Sequence, residues 1–334
     1  MKKAAIIFLL FVLLLTGLIR LASLVQPVDR TAENEIHFRI ESGRSTGQIA
    51  RELEEEKLIN SDLLFKLVVG ILRLENSMQA GVYEFKRSEN TLEIINKIAR
   101  GRVANVRVTI PEGYTLEEVA EILSERTLYE KEELLEAAQK DVYDRSYLPE
   151  DNESIRYVLE GFIFPDTYDL PMEKRPEDIF RYLLDKFEEK APINEFENED
   201  KDELFEIITI ASLIEREAKL NREKPLISAV IYNRIQLDMK LQIDATIQYS
   251  LDERKERLLY EDLKVDSPYN TYQHRGLPPG PICNPGEESI QASIEPADVD
   301  YLFYFALKDG SHIFTESYPE HLKKQELLLK QDEN

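Results

Sequence analysis

The sequence predicts an α+β protein in three parts: an N-terminal transmembrane helix, a small α+β domain and a larger mixed α+β domain. Three observations indicate this class. An apolar run opens the chain, a strand–turn–helix pattern then recurs, and helix-period segments later alternate with loops rich in Pro, Gly, Asn and Tyr. The predicted limits are 1–26, 36–102 and 105–334.

Composition restricts the possible functions. The chain has 334 residues, 43% of them hydrophobic, and a formal net charge of −23. Such a charge repels phosphate backbones, so no nucleic-acid partner is expected. The single cysteine, Cys283, excludes an intrachain disulfide. The four histidines lie far apart and lack HExxH spacing, so we expect neither a metal site nor another cofactor.

The apolar run fits a membrane anchor. Residues 4–19 are almost unbroken hydrocarbon, and the stretch 4–25 is long enough to span a bilayer if Arg20 reaches the interface. A cleavable signal peptide is the alternative, but Leu21-Ala22-Ser23 is a weak cleavage site. Lysines before the run place the N-terminus in the cytoplasm and the rest of the chain outside the cytoplasmic membrane.

An internal repeat follows the anchor. Residues 38–50 align with 108–120, and a fainter copy covers 83–95. The pattern of each copy predicts a short alternating strand, a turn and an amphipathic helix. The pairs Ser45/Gln48 and Thr115/Glu118 are predicted to be capping boxes at the helix N-termini.

The repeat also resolves a motif that resembles a catalytic serine. Residues 43–47 read GRSTG, which matches the GxSxG nucleophile elbow between a strand and a helix. The repeat, however, places Thr115 at the equivalent position of Ser45, where no elbow exists. Helix capping therefore accounts for Ser45.

The strand–turn–helix units over residues 36–102 resemble a LysM module, the small fold that binds the N-acetylated glycan of bacterial walls. The resemblance implies either glycan binding or a spacer above the membrane.

A helix over Ile207–Glu217 is predicted to be central to the larger domain. Apolar residues recur at 207, 210, 211, 214 and 218, and the polar residues Thr209, Ser212 and Arg216 lie opposite. Glu215 and Glu217 flank the apolar stripe about 160° apart. A carboxyl at such a boundary can have a raised pKa. Periodicity alone does not show which of the two glutamates is functional, or whether both are ordinary solvated residues.

Loops dominate residues 240–286. Tyrosines there occur with Asn and Gln, a combination that suits stacking on a sugar ring and hydrogen bonding to its hydroxyls, although turns on an ordinary surface have the same composition. A second helix is predicted to end near Asn233-Arg234 and to be tied to these loops by both residues. Residues 302–306 and 311–314, separated by Asp309-Gly310, predict a hairpin.

Several motifs in this order resemble one family. They are LEGFIFPDTY (159–168), IASLIERE (210–217), NRI (233–235), LQIDATIQY (241–249), SPYNTY (267–272), GLPPGPI (276–282) and NPG (284–286). Together with the anchor and the LysM-like region, they resemble the YceG-like family of MltG-type, membrane-bound endolytic murein transglycosylases. The resemblance implies a peptidoglycan lyase that cleaves the β-1,4 bond between N-acetylmuramic acid and N-acetylglucosamine in nascent strands and leaves 1,6-anhydromuramic ends.

The resemblance also implies site residues. The family's catalytic glutamate is the last one of its ASxxExE segment, which is Glu217 here, acting as general acid and then as base; Glu215 is implied to be structural. The candidates for substrate binding are Gln242, Asp244, Thr246, Tyr249, Tyr269, Asn270 and Tyr272. The chain departs from the family pattern at Ile243, Ala245 and Ser250, so the shape of that loop is open. For Glu160 and Asp166, a place in the cleft and a capping or loop-bonding role both remain open.

Two other functions fit the sequence. One is a catalytically inactive, peptidoglycan-binding scaffold of the wall-synthesis machinery, and the other is a hydrolase of the same bond. In each case the expected partners are glycan strands and the cytoplasmic membrane of a bacterium, with penicillin-binding proteins and other wall-synthesis proteins as candidate partners implied by the resemblance.

Overall fold

The computed structural model describes residues 23–139, 142–149, 152–193, 201–251 and 253–332. The architecture is mixed α+β, as predicted. The chain forms two compact units. The first comprises the described residues up to Val106 together with Asp169–Glu173, and the second comprises 107–168 together with the described residues from Lys174 onward.

The first unit builds its core between two paired strands and three helices. The strands are antiparallel, with Glu35 opposite Lys86 and Ile40 opposite Gly81. Phe38, Tyr83 and Phe85 pack their rings in the core beneath them. The elements are β1 (Glu35–Ile40), α1 (Thr46–Glu55), α2 (Asp62–Ile71), β2 (Gly81–Lys86) and α3 (Thr91–Ala99).

The capping predictions are confirmed. Ser45 and Gln48 form a reciprocal capping box at the start of α1, and Ser45 Oγ lies 2.8 Å from the Gln48 side-chain oxygen. Thr115 and Glu118 do the same for the helix that begins at Leu116. Because the Ser45 hydroxyl is engaged by its own helix, it has the role of a cap rather than of a nucleophile.

The second unit is mainly helical. Its strands form two small sheets, β3 with β4 and β5 with β6. The elements, including the strands β3 and β4 whose residues are divided between the two units, are β3 (Asn105–Ile110), α4 (Leu116–Arg126), α5 (Lys131–Ala138), β4 (Asp166–Pro171), α6 (Pro176–Lys190), α7 (Lys201–Glu217), α8 (Lys224–Gln236), α9 (Asp244–Ser250), α10 (Glu287–Ile294), β5 (Phe303–Ala306), β6 (His312–Thr315) and α11 (Tyr318–Asp332).

Helix α7 is buried on all sides through its middle turns. The polar face predicted from the sequence is not open to solvent, because Thr209 and Ser212 are both fully buried. Each hydroxyl donates to a carbonyl of its own helix, Thr209 to Phe205 O at 2.8 Å and Ser212 to Thr209 O at 2.7 Å. Small hydroxyl side chains can enter a core in this way without losing their hydrogen bonds.

The predicted hairpin is confirmed. Strands β5 and β6 are antiparallel, with Phe303 opposite Thr315 and Ala306 opposite His312. The sequence missed the short helix α9, which lies inside the stretch interpreted as loops. Its N-terminal residue, Asp244, favours the first turn of a helix.

Asn284 connects two of the motifs with the segment before α4. Its side-chain oxygen accepts from Ile163 N at 2.9 Å, and its amide nitrogen donates to Tyr114 O at 2.9 Å. The backbone of Asn284 also pairs with Gly113 and Tyr114. These bonds fix the LEGFIFPDTY and NPG segments beside the start of α4.

The predicted membrane span, residues 4–25, lies outside the described residues except for its last three. Across the described ranges, no helix has both the length and the apolar character needed to cross a bilayer.

Gly161 offers a stability test, because φ is +88° there and a β-carbon would lie 2.6 Å from Pro281 Cβ. Gly161→Ala therefore combines backbone strain with overpacking, and we expect it to cost about 2–4 kcal/mol. Gly276 is the matched control, since φ is +77° and nothing lies within 4 Å of a β-carbon. Gly276→Ala should cost only about 1–2 kcal/mol. Urea unfolding of both variants measures the difference, and equal losses would show that the Pro281 contact is unimportant.

Candidate functional site

Glu217 is the last residue of α7 and is half-buried. Its Oε2 accepts a hydrogen bond from Tyr304 Oη at 2.9 Å. The backbone N–H of Ala245, in the first turn of α9, also donates to this carboxylate. Glu217 therefore lies where the end of α7 meets α9 and the β5–β6 hairpin.

The surroundings of Glu217 raise its pKa. Burial is the largest cause, and the negative charge of Asp244 acts in the same direction. The hydrogen bonds from Tyr304 and Ala245, and the nearby His312, oppose this effect. Because desolvation dominates, the pKa of Glu217 lies above its ordinary value. A carboxyl of this kind can hold a proton at a pH at which an exposed glutamate has lost it.

The hairpin fixes the position of Tyr304. The Tyr304 ring contacts His312 edge-to-face, with ring centroids 5.5 Å apart. His312 is in turn bound to Glu223, which accepts from the His312 backbone N–H at 3.1 Å and lies 2.8 Å from Nδ1. Both side chains of that pair are buried. Glu223 immediately precedes α8, so this contact clamps the hairpin to α8.

Arg234 connects α8 with the start of the 240–286 loops, as predicted, whereas Asn233 is bonded to the segment before the β5–β6 hairpin and not to those loops. Arg234 Nε donates to Leu302 O at 2.7 Å, and Nη1 donates to Leu241 O at 2.5 Å. Asn233 Nδ2 donates to Val299 O at 2.8 Å. Burial lowers the pKa of Arg234, while the neighbouring Tyr304, Tyr272 and Glu217 favour its charged form. Arg234 therefore adds a fixed positive charge close to Glu217.

Three of the predicted substrate-binding residues lie in this neighbourhood. Asp244 is exposed, and its Oδ1 accepts from Tyr272 Oη at 2.5 Å. Gln242 is exposed between the buried Leu241 and Ile243, and its φ of +52° is in the left-handed region. Non-glycine residues rarely adopt that conformation except where the surrounding structure imposes it, often at functional sites. Gln242 and Asp244 thus present polar groups to solvent, and the half-buried Tyr272 is bonded to Asp244.

The other four predicted residues, Thr246, Tyr249, Tyr269 and Asn270, lie in the interior. Asn270 Nδ2 donates to Val265 O at 2.8 Å, and Thr246 Oγ1 lies 2.9 Å from Thr271 Oγ1. The Tyr249 and Tyr269 rings contact each other with centroids 4.9 Å apart. The contacts of these four side chains are with other parts of the protein and stabilise the loops around α9. Their role in substrate binding stays a prediction.

Glu215 has a different environment from Glu217. Its Oε2 accepts from Ser289 Oγ at 2.6 Å, from Gly286 N at 3.1 Å and from Lys224 Nζ at 3.3 Å. The Lys224 side chain is only 3% exposed. Glu215 thereby joins the end of α7 to the starts of α8 and α10, and its carboxylate is fully engaged within the protein.

Glu160 and Asp166 also have protein partners. Glu160 is 1% exposed, and its carboxylate accepts from Leu116 N at 2.9 Å, at the start of α4, and from Tyr249 Oη at 3.0 Å. Burial raises the pKa of Glu160 to about 8 in spite of these bonds. Asp166 forms an ion pair with Lys190.

Sequence reasoning missed Tyr304, His312 and Glu223. They are separated from one another and from Glu217 by up to 95 positions, as between Glu217 and His312. The one available signal was the hairpin itself, whose apolar strands carry a tyrosine and a histidine.

Comparisons with known proteins identify the family of the chain. Residues 38–326 match the profile of the YceG-like family. The chain belongs to the YceG-like family. A Bacillus subtilis relative named endolytic murein transglycosylase is 31% identical over 92% of this chain and 88% of its own length. A Streptococcus pneumoniae protein with the same name is 28% identical over 96% of this chain, which spans 64% of that relative.

A solved structure is also similar. The crystal structure of a YceG-like protein from Listeria monocytogenes has 34% identity and a TM-score of 0.59, with 87% of this chain and 99% of that chain covered. The α+β architecture thus agrees with that of a solved YceG-like protein.

The buried Glu160 makes stability depend on pH. Its pKa is about 8 in the folded protein against an ordinary value of 4.5, so the folded state binds the proton more tightly. This site therefore lowers stability as the pH rises from about 4.5 to about 8. Glu160→Gln removes that loss, so between pH 5 and pH 9 we expect its free energy of unfolding to rise relative to the parent by an amount on the order of a few kcal/mol, and its Tm to rise with it.

Thermal unfolding followed by circular dichroism at several pH values tests this expectation. Glu136→Gln, an exposed position on α5, controls for the loss of one negative charge. A Tm difference for Glu160→Gln that does not change with pH would contradict the assignment.

Proposed function

We propose that the chain is a membrane-anchored endolytic lytic transglycosylase that cleaves the bond between N-acetylmuramic acid and N-acetylglucosamine in nascent peptidoglycan. The observation that supports this most directly is Glu217. It is a half-buried carboxyl with a raised pKa, next to a loop that exposes Gln242 and Asp244. The names of the Bacillus and Streptococcus relatives support the same reaction class.

In the proposed reaction Glu217 acts twice. Its protonated form donates to the glycosidic oxygen as the bond to the muramyl anomeric carbon breaks, and N-acetylglucosamine leaves with its hydroxyl restored. The O6 hydroxyl of the same muramyl residue then bonds to the anomeric carbon. Its proton passes to the Glu217 carboxylate, which restores the acid. The sugar gains an internal 1,6-anhydro bond, and no water is consumed.

The neighbours of Glu217 suit both steps. Burial and Asp244 favour the protonated form needed first, while Tyr304 and Ala245 stabilise the carboxylate formed during the reaction. Opposing influences of this kind suit a carboxyl that must first give a proton and then take one. A second carboxylate as nucleophile, which ordinary retaining glycosidases require, has no part in this scheme.

The remaining parts of the proposal concern location. Residues 4–25 would anchor the chain in the bacterial cytoplasmic membrane as a single span, with both units outside the cytoplasm. A LysM-like role for residues 36–102 is supported by the antiparallel β1–β2 pair with α1 and α2 between its strands. Wall-synthesis proteins, penicillin-binding proteins among them, are the proposed neighbours.

Two glutamate variants separate catalysis from structure. Glu217→Gln removes the acid, so we expect anhydromuramic products from purified peptidoglycan to fall about 100-fold or more. The free energy of unfolding should not fall, because the substitution removes the cost of partly burying a charged group. Glu215→Gln weakens the partner of the buried Lys224, so it should lower the free energy of unfolding by about 3 kcal/mol. Its folded fraction should retain activity.

Mass spectrometry of the product ends and urea unfolding measure the two effects. Reducing muramic ends carrying solvent oxygen would favour a hydrolase instead. If the parent chain releases no product under any condition, the scaffold function replaces the enzyme. If Glu217→Gln remains active while Glu215→Gln does not, the roles of the two carboxyls are reversed.

Tyr304→Phe tests the hydrogen bond to Glu217. Without the hydroxyl the Glu217 carboxylate loses a donor, so its pKa should rise further. Since the first step needs the protonated acid, the decline of kcat/KM at high pH should move to higher pH. Tyr232→Phe is the matched control, because its hydroxyl donates to Ser293 O instead. An unchanged pH profile for Tyr304→Phe would show that Tyr304 does not influence the acid.

A further inference from the structure

Helix α2 of the first unit carries apolar side chains on both of its faces. Its inner face enters the core through Leu64, Phe65 and Val69. Its outer face carries Leu63, Leu67 and Ile71, which recur every fourth residue and therefore form one line along the helix. Leu63 is 71% exposed and Ile71 is 70% exposed. We refer to Leu63, Leu67 and Ile71 as the outer stripe.

The other helices of this unit differ from α2. The outward positions of α1 carry Arg51, Glu54 and Glu55, and those of α3 carry Glu93 and Asn96 beside one exposed leucine, Leu92. A helix on the surface of a soluble domain normally has such a polar outer face. An apolar line of this length on the surface is a marker of an interaction site.

The position of α2 relative to the chain's N-terminal segment indicates what the outer stripe contacts. Residues 23–25 are helical and end the apolar stretch 4–25. The next residue, Gln26, is tied to the start of α2, since Asn60 Nδ2 donates to Gln26 O at 2.7 Å. Asn60 is followed by Ser61, the N-cap of α2. Leu63, the first residue of the outer stripe, follows Asn60 by three residues, which is about 10 Å of fully extended chain at most.

We infer that the outer stripe lies in the interfacial layer of the lipid bilayer that holds residues 4–25, with α2 parallel to the membrane surface. The inference rests on the proposed anchor and is independent of the proposed reaction. An amphipathic helix held next to a membrane span needs little affinity of its own, because the span keeps its local concentration of lipid high. Leu72, which is half exposed at the end of α2, extends the same contact.

Charge supports an apolar contact instead of an electrostatic one. The chain has a net charge of −23, so anionic lipid headgroups do not attract it as a whole. The one cation on α2, Lys66, is paired with Asp62 at 2.6 Å. Membrane contact at α2 must therefore depend on the burial of Leu63, Leu67 and Ile71, and neutral lipids should support it as well as anionic ones.

Spin labelling of the full chain in phosphatidylcholine vesicles tests the inference. The single native cysteine, Cys283, is fully buried, so a label attaches at an introduced cysteine. Leu67→Cys places it on the outer stripe, and Asn96→Cys is the control on the outer face of α3. We expect the label at 67 to collide severalfold more with oxygen, relative to a water-soluble nickel chelate, than the label at 96. Leu63→Cys should behave like Leu67→Cys.

Three results would overturn the inference. Equal collision ratios at 67 and 96 would place the outer stripe in water. Shielding of position 67 from both reagents would show that protein covers it, either a second copy or another partner. If the chain does not float with the vesicles, it does not bind the bilayer, and the outer stripe then has no lipid to contact. Murein cleavage by the same samples is measured separately, so a loss of that reaction does not bear on whether the outer stripe contacts the bilayer.

Discussion

Burial of α7 on all sides is the constraint on which the second unit depends. A buried helix needs internal partners for each polar side chain along it, because an unpaired polar group in a core costs about 1–3 kcal/mol. Ser212 accepts from the backbone N–H of Ile282 at 3.0 Å, and Arg216 donates to Gly113 O at 2.9 Å. The loops that provide these partners come from distant parts of the sequence. The loops that carry the motifs therefore pack around α7, because they provide the hydrogen-bond partners of its polar side chains.

The same constraint explains why two glutamates two positions apart differ so much. Glu215 points to the starts of α8 and α10, where Lys224 and two further donors satisfy it. Glu217 points to the other side, where it meets Tyr304 and the exposed Asp244. A carboxylate paired with a buried cation is a poor proton carrier, since losing the pair costs several kcal/mol. The direct partners of the Glu217 carboxylate, Tyr304 and the Ala245 N–H, are neutral donors, so protonation of Glu217 breaks no direct ion pair with them.

Local features of the fold were predictable from the sequence, and long-range ones were not. The capping boxes and the hairpin depend on residues a few positions apart, so local sequence patterns predict them. The contact of Glu217 with Tyr304 spans 87 positions and leaves no periodic signal. Composition also failed to separate exposed from buried polar residues. Asn270 and Gln242 are both amides in the same loop region, yet only Gln242 faces solvent.

The position of Glu217 at the end of α7 adds an effect that burial alone does not provide. The C-terminus of an α-helix carries a partial negative charge, which disfavours a carboxylate there. Asp244 adds a second negative charge nearby. Both act to raise the pKa of Glu217, whereas the proposed reaction also needs its carboxylate form as a base. The hairpin supplies the opposition, since Tyr304 donates to the carboxylate and His312 lies behind it. For the proposed reaction, the contact between His312 and Glu223 therefore contributes to the acid–base balance of Glu217, because it holds Tyr304 in place.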